Sequence, residues 1–348
     1  MPTVKSVFGA GASILDRLPA LGLGAAPLGN LYRPISDADC EYLLEAAWAF
    51  GLRYFDTAPL YGFGLSERRL GAFLRSKPRE EFFVSTKVGR LLKPNAGYHG
   101  QRDYFIDADP FEPVFDYSRD AILRAHEDSL ERLGLDRIDI LLMHDIGAVT
   151  HGASHAETFA TAMTGGYAAM DELRGSGAVG AIGLGVNEWE VCAEAMARGT
   201  WDCMLLAGRH TLLQQDAGAF LDLCIDMNVR VIAAGVFNSG ILATGSSAHA
   251  RFNYDAAPDD IAARVSELAR ICADFDTPLG AAALQYPKGH PAVISVLAGI
   301  GSADELVQTM DWAGRSVPDG LWQALQAKGL LRKELPVPAN AEAADEAV

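Results

Sequence analysis

Residues 52–67 read Leu52-Arg-Tyr-Phe-Asp56-Thr-Ala-Pro-Leu-Tyr61-Gly-Phe-Gly-Leu-Ser66-Glu67. A short apolar run predicts a strand over Leu52–Asp56 that ends on a carboxylate, with a phenol five residues further on. The next two predicted strands also end on reactive groups: Phe82–Lys87 on an ammonium and Ile138–His144 on an imidazole. In a barrel of parallel strands, the C-terminal strand ends surround one mouth, which is where such folds place their chemistry.

Outward from this stretch, the chain alternates strand and helix eight times. Strands are expected at Leu21–Gly24, Leu52–Asp56, Phe82–Lys87, Ile138–His144, Ala178–Gly185, Trp201–Leu206, Val229–Ala234 and Val293–Leu297. Helices are expected at Asp37–Phe50 (capped by Ser36), Leu65–Arg75, Ser118–Gly134, Thr158–Ser176, from Glu188, and at Asp216–Met227, Pro258–Phe275 and Ala303–Gly314. Pro318–Lys328 adds a terminal helix, and Val88–Tyr117 reads as a long irregular loop. Eight alternations without a linker or internal repeat predict a (β/α)8 TIM barrel with long βα loops and an extra C-terminal helix. The expectation is one domain over 1–348, with its core at about 20–330 and a frayed tail at 337–348. The rival is a doubly wound sheet, which would carry GxGxxG after the first strand. Here that turn is Gly22-Leu-Gly24-Ala-Ala-Pro27-Leu-Gly29, without the third glycine in register, and no GxxxxGK[ST] occurs.

The 348 residues are 49% hydrophobic, enough for a large core, and carry a formal net charge of −16. That sign argues against nucleic acid or an anionic membrane as partner. No run approaches the ~18 apolar residues of a membrane span, and Met1–Ala20 lacks the pattern of a signal peptide. The cysteines at 40, 192, 203, 224 and 272 are odd in number and form no CxxC, so the expected setting is a reduced cytoplasm. A homo-oligomer is compatible with all of this.

Asp56, Tyr61, Lys87 and His144 bring together complementary parts. A phenol with an ordinary pKa near ~10 is a weak acid and base at neutral pH. A nearby lysine favours the phenolate and lowers that pKa, and a carboxylate keeps the lysine charged and oriented. An imidazole across the pocket can donate to a substrate oxygen. The set suits proton transfer at a carbonyl or hydroxyl oxygen. Taken singly, each residue has a plainer explanation, as a solvated strand end, a turn residue or a core histidine. It is their occurrence at three successive strand ends that points to chemistry. No metal set is expected: His151 and His155 lack an acidic or cysteine partner in register and read as a solvated loop. Phe159, Met163 and Met170 have the spacing of a buried helix face.

The run Asp56–Glu67 resembles the signature of the aldo-keto reductase superfamily, and Ser85-Thr86-Lys87 and Leu141-Leu142-Met143-His144 resemble its next two motifs. The resemblance extends from about Leu21 to about Gly314. It implies Tyr61 as proton donor or acceptor, with Asp56, Lys87 and His144 completing a tetrad. It also implies a nicotinamide cofactor held by Asn187, by the loop Gly235, Val236, Phe237, Ser239 and Gly240, and by Gly299, Gly301 and Ser302. Three positions depart from the family pattern. Val186 replaces a serine, Ala207 a glutamine, and Ala234 an aromatic that often stacks on nicotinamide. Members that use NADPH usually place Arg or Lys near Gly301, whereas here Asp304 and Glu305 follow it. NAD is therefore expected over NADP.

Within the family, Phe115-Asp-Tyr-Ser118, Ser129–Asp139 and Met143-His-Asp-Ile146 are similar to the NAD-linked branch that oxidises hemiacetal carbons. That branch includes D-threo-aldose 1-dehydrogenases (L-fucose dehydrogenases) and pyridoxal 4-dehydrogenase. The implied reaction is oxidation of an aldose at C1 to a lactone. Pyridoxal oxidation to its lactone, general NADPH-linked carbonyl reduction and, from another class, a nicotinamide-sensing regulatory subunit stand as alternatives. Tyr32, Phe105 and Asp145 are the candidates for contact with the small-molecule substrate. Tyr98, Tyr104, Phe111 and Phe115 could wall its pocket or pin the long loop.

Overall fold

The computed structural model describes residues 13–97, 100–247 and 250–339. Eight parallel strands close into a barrel: β1 Leu21–Gly24, β2 Tyr54–Asp56, β3 Phe83–Val88, β4 Ile138–His144, β5 Val179–Val186, β6 Cys203–Ala207, β7 Arg230–Ala234 and β8 Val293–Gly299. Chain order is kept around the barrel, and β8 pairs back onto β1 in the register Leu21↔Val296 to Gly24↔Gly299. The central strands are buried on both faces, which is why they read as apolar runs such as Ile140-Leu-Leu-Met143.

Two packed layers hold the barrel. Inside, Tyr54, Ile140, Leu142, Ala181, Cys203, Leu205, Ile232 and Leu297 form one cluster. Ile14, Leu15 and Leu18, on and beside a 3-10 turn at Ile14–Arg17, join that cluster. Outside, the second layer packs the strands against the helices and takes in Phe159, Met163 and Met170. Ser36, Ser118 and Ser302 cap their helices by accepting from Asp39, Ala121 and Glu305 N–H groups. No helix among the described residues is long and apolar enough to cross a membrane.

Several expectations are corrected. The stretch Val88–Tyr117 is not irregular: Arg90–Pro94 pairs antiparallel with Phe111–Phe115, and Gln101–Arg102 pairs with Phe105–Ile106. Pro94, Pro110 and Pro113 and the short strands hid this alternation. The fourth helical segment starts earlier, at His155, and runs through a π turn at Ala162–Gly166 into Tyr167–Gly175. Leu279–Gln285 is an additional helix, started by Pro278 and continued by Gly-Ala-Ala-Ala. The terminal helix spans Asp319–Ala327. Within the tail, Val337 lies against Gly289; residues 340–348 and Tyr98 lie outside the described residues.

Candidate active site

The strand register sets the site. Asp56, the last residue of β2, is level with Gly24 of β1 and Ser85 of β3. Lys87 lies two residues beyond Ser85 and points the same way, because side chains alternate along a strand. Its stem passes Gly185 of β5, where a Cβ would lie 3.1 Å from the Lys87 Cε, so a glycine there leaves the lysine its path. The Lys87 ammonium, 1% exposed, donates to Asp56 Oδ2 at 2.8 Å, to Thr57 O at 2.9 Å and to Tyr61 Oη at 3.1 Å. Asp56 Oδ1 accepts from Ser85 Oγ at 2.7 Å. All three ammonium protons thus have acceptors, and both carboxylate oxygens have donors, the condition for burying a charged pair.

Tyr61 is delivered by a tight turn. Gly62 has φ 63, and a Cβ on it would meet Gly29 O at 2.5 Å, so only glycine fits. The signature residues after it are braces. Ser66 donates to Ala25 O, and the buried Glu67 accepts from Thr86 Oγ1 and pairs with Arg132. Phe105 is buried beside Phe63 and Tyr61, with ring centroids 5.8 and 6.3 Å away. The His144 ring stands edge-on to Tyr61 at 6.2 Å.

The electrostatics correct one expectation. Lys87 does pull the Tyr61 pKa down, but burial is the larger influence, and with Asp56 it pushes the phenol up to about 12. At neutral pH Tyr61 is a protonated donor. Burial opposes the Lys87 charge, yet Asp56 and Tyr61 outweigh it and raise its pKa above the ordinary lysine value. Burial, then the Arg90 and Lys87 charges, hold His144 well below the usual histidine range, so its ring is neutral.

Arg90 is a residue the sequence reading missed. It is 7% exposed, lies over the Phe115 ring at 4.6 Å, and contacts His144 Nδ1 at 3.0 Å and Asp145 Oδ2 at 2.7 Å. Asp145, expected to meet substrate, is therefore paired with a guanidinium. His151 is not a solvated loop residue: its ring packs on Phe115 at 4.7 Å, and Nε2 lies 3.1 Å from Tyr117 Oη.

A cavity of about 500 Å³ runs from Tyr61 and Asp56 past Asn187, Ala207 and Ala234, along Gly235–Gly240, to Gly301, Glu305 and Trp312. Gly235, Asn238, Ser239 and Gly240 all have positive φ, which folds that loop along the cavity wall. The buried Asn238 donates to Gly208 O, while its Oδ1 has no partner among the described residues. Phe237 meets Trp312 edge to face at 5.7 Å. This long groove, with an aromatic wall at one end, fits an extended dinucleotide. Of the expected cofactor residues, Asn187, Gly235, Val236, Phe237, Ser239, Gly240, Gly299 and Gly301 line it. Ser302 does not, and its hydroxyl is engaged in capping.

Two features of the groove were not foreseen. Arg33, in the loop after β1, reaches the Gly301 end and pairs with Glu305 at 2.5 Å, so this end does hold a cation. Glu305 also accepts from Gly301 N at 2.7 Å. At the other end, Tyr254 lines the cavity from the tip of a hairpin formed by Arg251–Phe252 and Asp255–Ala256, with φ 73. It stacks on Tyr104 at 5.2 Å, and Tyr104 meets Tyr32 edge-on at 6.1 Å. Burial raises the Tyr254 pKa, and a hydrogen bond from Asn187 offsets part of the rise. Loop residues with no periodic signal and no partner nearby in sequence could not be placed here from the sequence.

Comparison with known proteins agrees with this geometry. The model of the Aldo/keto reductase family matches residues 20–328. A pyridoxal 4-dehydrogenase from Microbacterium luteolum is 44% identical over 90% of this chain and 94% of its own length. A D-threo-aldose 1-dehydrogenase from a Pseudomonas species is 40% identical over 90% and 95%. Among solved structures, the holo form of an aldo-keto reductase from Bacillus halodurans superposes with a TM-score of 0.67 at 22% identity, covering 91% of this chain and 93% of that one, a likeness of fold. The chain belongs to the aldo/keto reductase family and is an oxidoreductase acting on CH–OH or carbonyl groups.

Proposed function

We propose that this enzyme oxidises the hemiacetal carbon of a cyclic substrate to a lactone, with NAD as the preferred cofactor. The observation that carries the reading is the buried Asp56–Lys87–Tyr61 chain at one end of a groove shaped for a dinucleotide. The names of the two relatives support the substrate class, since an aldose C1 and the pyridoxal C4 aldehyde both present a ring hemiacetal.

Bound nicotinamide supplies the hydride acceptor. For oxidation Tyr61 must first be the phenolate, whose charge the Lys87 ammonium stabilises; the phenolate takes the substrate's hydroxyl proton and becomes the phenol. Asp56 keeps Lys87 charged and aimed. His144, neutral, donates to the substrate oxygen and excludes water on that side. The aromatic group of Tyr32, Tyr104 and Tyr254 favours a planar ring, which supports pyridoxal as a second reading beside the aldose.

NAD selection follows from Glu305. This carboxylate lines the Gly301 end of the groove, the end the family resemblance assigns to the adenosine ribose, and it already neutralises Arg33. A dianion there meets like charge, whereas a ribose hydroxyl meets an acceptor. L-Fucose, D-arabinose, L-galactose and pyridoxal, each tested with NAD and followed by NADH absorbance, decide the matter. Turnover of one of the four with NAD is expected. No turnover of any, together with NADPH-dependent reduction of simple aldehydes, would overturn the reading.

A further inference from the structure

The guanidinium of Arg90 makes an unusual pairing. It enters from the first residue of the hairpin strand Arg90–Pro94, directly after Gly89, whose φ of 100 and closeness to the Tyr117 ring admit no side chain. One nitrogen lies 3.0 Å from His144 Nδ1, and the other donates to Asp145 Oδ2 at 2.7 Å. The Phe115 ring covers it at 4.6 Å. Arginine has only donors and stays protonated at any accessible pH. A ring nitrogen facing it must therefore present a lone pair.

We propose that Arg90 is a positioning residue that locks His144 in its neutral form with the proton on Nε2, ready to donate to a substrate oxygen. The proposal rests on the reading of His144 as that donor. With Nδ1 accepting, a neutral imidazole carries its single proton on Nε2. Nε2 lies 3.5 Å from Asp145 Oδ2, a long contact that leaves its proton for a better acceptor. Asp145 has a second effect: it balances the Arg90 charge, so the guanidinium can be buried without a free counterion. The backbone is held too, because Tyr117 Oη donates to His144 O at 2.8 Å.

The groups facing His144 are Arg90 at Nδ1, Asp145 near Nε2, the Lys87 ammonium, the Tyr61 ring at its edge, and Tyr117 with His151 behind its carbonyl. Two of these, Arg90 and Lys87, are permanent cations that disfavour an imidazolium. Removing Arg90 takes away the nearer cation and the donor at Nδ1 together. His144 should then titrate closer to the ordinary histidine value and sample both tautomers.

The test uses the full chain with 13C- and 15N-labelled histidine. In the wild type, the His144 ring shifts should report the Nε2–H tautomer and stay unchanged from pH 8 to pH 5.5. In Arg90→Met, burial and Lys87 still act on His144, but it should titrate at a higher pH than in the wild type and lose its Nε2–H preference. kcat should fall on the order of 10²-fold, the scale of a lost acid–base contact, with KM for NAD unchanged and a new acid limb in the kcat profile. Arg90→Lys, which keeps a cationic donor, should restore the tautomer and part of the activity. A wild-type His144 that carries its proton on Nδ1, or that titrates near 6.5, overturns the proposal. So does an Arg90→Met variant with wild-type pH dependence. If Arg90→Met does not fold, the wild-type spectra still decide. The spectra need no substrate, so a wrong tautomer and a wrong reaction would be told apart.

Discussion

The Lys87 ammonium donates to the Tyr61 hydroxyl at 3.1 Å from a position almost wholly out of water. An ammonium so buried is held charged by Asp56, and its nearest proton-bearing neighbour is the phenol. Its field lowers the cost of forming phenolate, although burial keeps that cost high. Oxidation therefore favours alkaline solution, and reduction can draw on a phenol that is already protonated.

Tyr61→Phe should lower kcat by about 10²–10⁴-fold, the range for a positioned acid–base group. NAD affinity should persist, because the hydroxyl is not needed to hold the groove. Steady-state rates and cofactor fluorescence titration check both statements. A variant that keeps a tenth of the wild-type kcat would show that Tyr61 does not move the proton.

Removing the Lys87 charge should shift oxidation to higher pH. Without the ammonium the phenol loses the influence that lowers its pKa, and its phenolate forms only in still more alkaline solution. Lys87→Met alone would leave Asp56 buried and unpaired, so the double variant with Asp56→Asn is the cleaner one. Its kcat should be lower than wild type at every pH up to 10, and should rise later. Coinciding pH profiles would mean that Lys87 has no part in the proton step.

NAD should exceed NADP in kcat/KM by about one to two decades, matching the ~1.5–3 kcal/mol of a charge-assisted contact that NADP fails to make. Glu305→Gln should narrow the gap by improving NADP. It removes the like charge and frees Arg33, which now pairs with Glu305, to meet a phosphate. Paired kinetics on one good substrate decide it, and a variant that leaves the ratio unchanged would place selectivity elsewhere.

Acid should weaken the fold partly through His210. Burial, with the neighbouring His290 charge, pushes its pKa down to about 4. An unfolded histidine sits near ~6.5. Above that value both states are neutral and His210 has no effect. As pH falls from 6.5 towards 4, the unfolded chain takes up a proton that the folded chain refuses, and stability declines. By pH 5 the loss is roughly 2 kcal/mol. Urea unfolding at pH 7.5 and pH 5 should show the decline, and His210→Gln should make it shallower. Equal declines in the two proteins would remove His210 from the account.

The barrel and its mouth were legible because their signals are local. A strand buried on both faces must be apolar throughout, and a helix on its surface must be apolar at every third or fourth residue, so the periods of Leu21–Gly24 or Arg119–Leu133 are visible without a fold. Most boundaries moved by one or two residues, as at Phe83–Val88, and the start of the fourth helical segment by three, to His155. The two hairpins within 90–115 were missed, because strands of two to five residues broken by proline carry too little alternation to read.

The clustering of Asp56, Tyr61, Lys87 and His144 was legible in the sequence, because each lies at or just past a strand end, and the strand ends of a parallel barrel converge. The sign of the Tyr61 shift could not be read, since it depends on how much burial surrounds the phenol compared with one nearby charge. The same limit applied to Arg90, Arg33 and Tyr254. Each lies between a barrel strand and the long helix that follows and meets partners far along the chain: Arg90 pairs with residues 54 and 55 positions away, and Arg33 with one 272 away. Sequence periodicity encodes which face of an element is buried. It carries no record of which two loops the barrel brings side by side, and in this protein that closure placed a guanidinium on the His144 imidazole and a carboxylate at the far end of the groove.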